Sequence, residues 1–549
     1  MDKIKVTYNE SIQVLNKGTT VREIIGSSFD EYDSNPIVGA TLSGEMVPLS
    51  YPLTADGVIK PIHLFSPLGK RIYRHSICYL LSYAISTLFP EKHLIIGHSL
   101  GDGYYYAIKL TEDELKQTRT FMRETVRRNL PITTYPLSYN VACSYFDHRV
   151  TKQTKMLLNS QNNNYVNTYK LGSFLDISYE PIVDYTRVLS TWELQKYEGG
   201  LLIRYPQSRD YSQLQTFKDN PLLFKVFKDG HYKEKILDVV CVGALNEKIA
   251  NGEVEDVIEL EEALMNRNIA DIASQINERN NVKVVTIAGP SSSGKTTFSL
   301  KLCTQLRLLG YHCIKISLDD YYHTREKVPV DKNGDKDYEA LEALDLPLLR
   351  EQIYALANGD SVRLPHFSFK ENKRYWADKE TQMRENSLLI LEGIHGLNPN
   401  LLQELEKDKL FKIYISALTS VNIDDHNRIS TTDNRIIRRI VRDHRTRGTS
   451  ATNTLLMWPS VENGEKNHIF PFQNEADAMY NSAHTYELAA LAPLAQSLLR
   501  SVKPDAGQAY TTARRLLQFL NLFYPITEDK VPSNSLVREF IGGSIYKAV

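Results

Sequence analysis

The stretch from Val282 to Thr297 constrains this chain more than any other. Val282, Val284, Val285 and Ile287 form a short apolar, β-branched run, the pattern of a buried strand. It ends in Gly289, and Pro290-Ser291-Ser292-Ser293-Gly294-Lys295-Thr296-Thr297 follows. That spacing is G-x-x-x-x-G-K-[ST]. Glycines let the backbone wrap close to phosphate oxygens. An amphipathic run follows (Phe298, Leu300, Leu302, Leu306, Leu309), so a helix starts here with unpaired N–H groups and a positive dipole end. Gly289 to Thr297 is thus read as a nucleotide-binding P-loop, with Lys295 reaching the β- and γ-phosphates and the Thr296 hydroxyl holding Mg²⁺. The loop alone does not separate a kinase from an ATPase or a GTPase.

At 549 residues the chain has room for about three or four domains. Apolar and charged contents of 42% and 24% are those of soluble globular proteins. A net charge of −1 gives no global basic field for nucleic acid. Cys78, Cys143, Cys241, Cys303 and Cys313 are scattered, without a C-x-x-C pair, which points to a reducing compartment. The N-terminus lacks a signal-peptide core, and the most apolar segment, Ile77 to Phe89, is shorter than a membrane span. The expectation is a cytoplasmic protein without membrane contact; the oligomeric state stays open.

Residues 1–65 read as a small β-β-α-β-β module: strands Lys3 to Tyr8 and Ile12 to Leu15, a short helix Val21 to Ile25 after Gly18-Thr19-Thr20, then strands Ile37 to Leu42 and Val58 to Leu64. With its TADG turn at Thr54 to Gly57, this order resembles the TGS domain, a β-grasp fold linked with RNA or nucleotide-regulated proteins. An RNA contact and a packing role stand level. Residues 66–215, opening RIYRHSICYLLSYAISTLFP and IIGHSLGDGYYYAI, resemble the second N-terminal domain of threonyl-tRNA synthetases. That family edits mischarged tRNA there with an H-x-x-x-H and a C-x-x-x-H pair. Here those positions are His75, Tyr79, Ser178 and Ile182, so one polar group of four survives and editing is not expected. The Gly-rich segment (Gly97, Gly101, Gly103, Tyr104 to Tyr106) is read either as a binding cleft or as strand packing.

Residues 216–280 read as a connector, with strands at Leu222 to Phe227 and Ile236 to Val242 and a helix at Val257 to Ile276. From 281 to 500, strands alternate with helices, the signature of a parallel sheet with covering helices. The strand Cys313 to Ser317 ends in Leu318-Asp319-Asp320, and Leu388 to Leu391 ends in Glu392. Ligands in such sheets sit at the carboxyl ends of strands. One of Asp319 and Asp320 is therefore placed to take a proton from an attacking hydroxyl, and Glu392 is placed as a Mg²⁺-associated acid. Arg435, Arg438, Arg439 and Arg442 fall at helical spacings, with Arg445 and Arg447 beyond; they read as a lid that closes over polyphosphate.

ISLDDYY, Asp337 to Asp345, LPHFSFKENKR (Leu364 to Arg374), LILEG and DNRIIRRIVRD-x4-G, in this order, resemble the uridine kinase and phosphoribulokinase family. The resemblance covers about 200 residues. The whole arrangement looks like the bacterial multidomain uridine kinase-like or nucleoside kinases. It implies an α/β multidomain fold: a P-loop kinase preceded by a β-grasp domain and an α+β synthetase-like domain. It also implies an ATP- and Mg²⁺-dependent kinase with Asp319 and Lys295 catalytic and Thr296 and Glu392 beside the metal. Glu339 matches a position that binds ribose hydroxyls. Arg374 closes the substrate motif. Arg439, Arg442 and Arg447 match lid arginines. Phe367 and Asn372 stand where uridine kinases carry a base-contacting tyrosine and histidine, Ser368 replaces an aspartate and Thr449 an arginine. The acceptor expected is a small nucleoside-like molecule of open base identity.

The tail, 501–549, reads as a helix Tyr510 to Phe519, proline breaks at Pro525 and Pro532, and a short amphipathic helix stopped by Gly542-Gly543, with no chemistry assigned. A second reading is an RNA- or tRNA-binding regulatory protein that uses the P-loop domain as a nucleotide switch, RNA meeting the basic face of Arg119, Arg123, Arg127 and Arg128.

Overall fold

The computed structural model of the chain describes every residue except 1, 27–32, 34, 162, 207–210, 212, 331–333, 335, 369–370 and 547–549. The motif from Leu364 to Arg374 therefore lies only partly within the described residues.

The first sheet is five-stranded, in the order Ser11–Asn16, Lys3–Tyr8, Gly57–His63, Ile37–Leu42, Glu45–Val47, with a parallel central pair. Its strands bury Ile4, Val6 and Ile59 under the helix Val21–Ile25. Thr20 starts that helix with a capping box: its hydroxyl accepts from Glu23 N and Glu23 accepts from Thr20 N. The next region wraps the long helix Pro67–Leu88 with a three-stranded and a four-stranded sheet. Tyr104, Tyr105 and Tyr106 lie on the strand Gly103–Ala107 with their rings buried, as strand packing requires. A Cβ on Gly103 would sit 2.4 Å from the Ile203 carbonyl oxygen, so its glycine serves close strand approach. The basic helix Glu112–Arg127 spends two of its cations locally: Arg119 donates to the Leu194 carbonyl, and Arg123 lies over Trp192.

Between 216 and 280 the structure corrects the sequence reading. Leu222 to Phe227 is not a strand but part of the helix Pro221–Leu237, with Pro221 at its start and the Asn220 side chain accepting from Leu223 N. Leu223, Phe224 and Phe227 pack as one helical face on Leu100, Tyr105 and Leu202. Ile236 to Val242 spans that helix's end, a left-handed Asp238, and the start of the helix Val242–Ala250. Short apolar runs do not separate a buried strand from a helix face. The helix Val254–Glu278 forms as expected.

The C-terminal half is a parallel five-stranded sheet in the order His312–Ser317, Ser387–Glu392, Val284–Ala288, Leu410–Ser416, Ala478–Asn481. Val284–Ala288 and Ser387–Glu392 are buried along their whole length, as β-branched and leucine-rich strands covered on both faces must be. The segment 421–430, which leads from this sheet to the helix Thr431–Arg447, is docked into the synthetase-like region. His93 meets Asp425 at 2.6 Å and His426 meets Asp176 at 2.6 Å. Asn422 donates to the Ile96 carbonyl and Asn427 to that of Ile177. Among the described residues no helix is long and apolar enough to cross a membrane.

Candidate active site

Three neighbouring parallel strands end at one place. In register, Glu392 pairs with both Ile287 and Ser317, so the P-loop, Glu392 and the Asp319 turn share the carboxyl edge of the sheet. Gly289 cannot be replaced: a Cβ would stand 2.1 Å from the Ile415 carbonyl oxygen. Gly294 adopts φ +83° and opens the helix Lys295–Leu308. Lys295 Nζ donates to the carbonyls of Gly289 (3.0 Å) and Pro290 (3.2 Å), arched over its own loop. Burial lowers its ammonium pKa, against the pull of Glu392 and Asp319. The Ser292 and Ser293 hydroxyls are buried without a partner, donors waiting inside the loop.

Thr296 Oγ1 donates to Glu392 Oε1 at 3.1 Å, and Lys315 Nζ stands 3.5 Å from the same oxygen. Burial raises the Glu392 carboxyl, and its second oxygen has no partner. A hydroxyl and a carboxylate side by side suit Mg²⁺, which takes few protein oxygens and completes its shell with water and phosphate. Among the described residues no group of three His, Cys, Asp or Glu side chains could hold a metal ion by itself. Asp319 is exposed, two residues beyond the strand His312–Ser317. Its crowded surroundings and Asp320 raise its pKa while Lys295 lowers it. Asp320 instead braces the fold, accepting from Phe367 N at 3.1 Å and meeting His366 at 3.0 Å.

The helix Thr431–Arg447 lies over the P-loop, and its arginines divide in two. Arg435 pairs with Glu465 and donates to the Ser291 carbonyl; Arg438 pairs with Glu487 and bonds the Ser292 and Ser482 carbonyls. Both are buried, and they fasten the helix to the loop. Arg439, Arg442 and Arg447 face Asp443 at 3.3, 2.8 and 3.5 Å, three guanidiniums for one carboxylate. Arg439 also donates to Ser291 Oγ at 2.9 Å.

Among the residues expected at the acceptor, Glu339 fits closely against Gly464, where a Cβ would meet its side chain at 2.5 Å. Burial and Glu465 push its carboxyl up to about 7, against Arg439 and Lys295. Arg374 is committed elsewhere: it binds Asp345 at 2.8 Å and the Tyr321 and Tyr322 carbonyls, bracing the turn behind Asp319. Asn372 sits at φ +52° in the hairpin turn and accepts from Arg325 N. The Phe367 ring is buried with the cluster that holds Tyr321 and Tyr322.

Two site residues escape the sequence reading. Glu465 accepts from Ser291 N at 3.1 Å. Glu539, from the tail given no chemistry, accepts from Thr297 N (3.2 Å) and Thr297 Oγ1 (2.8 Å). A carboxylate from the far end of the chain thus sits on a first-turn N–H of the P-loop helix. Leu536 packs on Gly294, and Arg445 holds the Glu539 and Phe540 carbonyls. A lone glutamate near a chain end carries no pattern that would announce this contact.

Residues 284–489 match the model of the Phosphoribulokinase / Uridine kinase family. The N-terminal region is similar to threonine–tRNA ligases. That of Aquifex aeolicus (strain VF5) is 25% identical over 243 residues, 43% of this chain and 36% of that protein. That of Nitrosomonas eutropha (strain DSM 101675 / C91 / Nm57) is 31% identical over 164 residues, 29% of this chain and 26% of that protein. The chain spans about a third of the length of these curated relatives. Among solved structures, one described as "a Possible Uridine Kinase from Bacillus stearothermophilus" is 18% identical, covers 39% of this chain and 98% of its own, and has a TM-score of 0.27.

Proposed function

We propose, from the match of its C-terminal half to a family of kinases, that the protein transfers the γ-phosphoryl of ATP to a hydroxyl of a nucleoside-like acceptor with Mg²⁺. The observation that carries this reading is the meeting of Lys295, the Thr296–Glu392 pair and Asp319 at the ends of three adjacent strands, under three arginines that share one carboxylate.

The roles follow from position. The P-loop N–H groups and Lys295 hold the polyphosphate, Lys295 leaving the Gly289 and Pro290 carbonyls to do so. Thr296 and Glu392 hold Mg²⁺, which neutralises phosphate charge when bound. Asp319 accepts the proton of the attacking hydroxyl; its raised pKa moves it toward that task. Arg439, Arg442 and Arg447 exchange Asp443 for the phosphoryl oxygens as charge develops. Glu339, ionised above pH about 7, accepts hydrogen bonds from acceptor hydroxyls.

The test is purified protein with Mg²⁺-ATP and a panel of nucleosides, the phosphorylated product counted by mass spectrometry. One acceptor turned over, and lost in Asp319→Asn, supports the reading. ATP binding without any product overturns the acceptor class and favours a nucleotide switch serving the synthetase-like half.

A further inference from the structure

Away from the P-loop, the helix Pro67–Leu88, the docked segment 421–430 and the tail helix Gln508–Leu520 enclose a cavity of about 70 Å³. That is room for about two waters at about 30 Å³ each, or for one tetrahedral oxyanion. Four guanidiniums and two carboxylates line it. Two of the guanidiniums are accounted for. Arg71 bonds Glu180 at 2.6 Å and Asp433 at 2.8 Å, and Arg515 bonds Asp433 at 2.7 Å and meets Glu180 at 3.4 Å.

The other two are not. Among the described residues, Arg74 and Arg428 make no ion pair. Both lie over the Tyr104 ring, at 5.6 and 5.3 Å. Arg74 Nε is buried without a partner. Arg428 donates to His98 Nδ1 at 3.2 Å, a ring that burial and Arg428 itself keep neutral. Buried charges without a counter-charge are costly and are normally paired. Two further atoms are left open on the same lining: His75 Nε2 and Glu180 Oε2, both buried and unpartnered.

We infer that this cavity is a binding site for a phosphate group, held by the Arg74 and Arg428 guanidiniums and His75 Nε2. The open Glu180 oxygen selects the ligand. Hydrogen phosphate carries one O–H, which donates to Glu180 Oε2, while its other oxygens accept from the arginines and the imidazole. Arg71 and Arg515 hold Glu180 ionised down to a pKa of about 2, against its burial, so it remains an acceptor. Sulfate has no O–H at neutral pH and would set an oxygen against that carboxylate. The site joins the two halves of the protein, because Arg74 belongs to the synthetase-like region and Arg428 lies two residues before Ser430, the cap of the lid helix. The inference does not depend on what the P-loop transfers.

The test is calorimetric titration of the full chain with inorganic phosphate at pH 7.5, the P-loop first saturated with Mg²⁺ and a non-hydrolysable ATP analogue. One phosphate per chain is expected, with sulfate at least tenfold weaker. Arg74→Gln and Arg428→Gln should each weaken phosphate by about tenfold to a hundredfold, the loss of a charged hydrogen bond. Without phosphate both variants should still melt cooperatively near the parent, since each removes a cation that makes no ion pair. Crystals of the parent soaked in arsenate should show an anomalous peak between Arg74 and Arg428, a result that needs no variant. A nucleoside monophosphate binding as well as phosphate would place the group on a larger molecule, and its exclusion would identify free phosphate. Absence of the arsenate peak, or phosphate heats unchanged in both variants, overturns the site; equal sulfate binding overturns the role of Glu180.

Discussion

Replacing Glu539 by glutamine should tighten ATP binding. The Glu539 carboxylate holds Thr297 N at 3.2 Å and Thr297 Oγ1 at 2.8 Å, on the turn whose free N–H groups must receive phosphate. Under the proposed function ATP has to displace it. Hydrogen bonds to a charged group contribute about 1.5–3 kcal/mol net and neutral ones about 0.5–1.5 kcal/mol. Exchanging carboxylate for amide thus removes about 1 kcal/mol from each bond, or about 2 kcal/mol in all if both persist. At about 1.4 kcal/mol per factor of ten, the ATP Kd should fall between about fivefold and thirtyfold in Glu539→Gln. Removing a negative charge beside the polyphosphate acts in the same direction. Isothermal titration of parent and variant with Mg²⁺-ATP measures it, with thermal unfolding as a control on the fold. A Kd within twofold of the parent in a variant that still melts cooperatively would show that ATP never contests the Thr297 amide. The tail would then be packing alone.

Asp319→Asn should lower kcat by about 10²–10⁴ while the ATP Kd moves little, since the base acts only on the acceptor proton; parallel kinetics and calorimetry separate the two. The two classes of arginine should answer differently. Arg438→Met leaves Glu487 buried and unpaired and should cost about 3–5 kcal/mol in denaturant unfolding. Arg442→Ala, which frees only one of three cations from Asp443, should keep its Tm and lose turnover. Glu339 should impose a pH dependence near 7. Its folded pKa lies above the unfolded value, so its contribution to stability is full at low pH and is lost as pH rises through about 7. Over the same range the acceptor KM should fall as the carboxylate forms, and Glu339→Gln should flatten both profiles. Finally, Glu180 is held at about 2 by Arg71 and Arg515. Its contribution should be present above pH about 4.3 and vanish as pH falls toward 2, so that acid uncouples the two halves before the parallel sheet melts.

The chemistry-bearing motifs were legible because each is a local pattern. Glycine spacing around Lys295, a strand ending in Glu392 and a strand ending at Asp319 need only short-range order to be recognised, and the parallel sheet brings them together. Four strands and the short helix of the first module were legible from alternation and from the Gly18-Thr19-Thr20 start, but the three-residue edge strand Glu45–Val47 was too short to announce itself. What sequence could not show was assembly. Leu223, Phe224 and Phe227 look like a strand until the aromatic face they cover is known. Arg438 and Arg442 are alike in a basic run, and only packing tells them apart: Arg438 is fastened to Glu487, while Arg442 shares Asp443 with two other guanidiniums. Arg374 carries a motif position, yet its hydrogen bonds run to Asp345 and to the turn behind Asp319. Glu465 and Glu539 reach the P-loop from distant segments, through contacts that no spacing encodes.

The fastening of the lid helix has a mechanical meaning. Its first turn is tied through Asp433 to Arg71 and Arg515, its middle through Arg435 and Arg438, and its end through Arg445 to the tail. A rod held at three points cannot swing. Under the proposed function the stroke that covers a nucleotide is therefore short, made by the Arg439, Arg442 and Arg447 side chains turning on a fixed spar. Side-chain rearrangement of that kind involves no whole-domain hinging, which takes microseconds to milliseconds. Under the proposed function the lid closes by side-chain motion, and the larger movement asked of the protein is the release of Glu539 from Thr297.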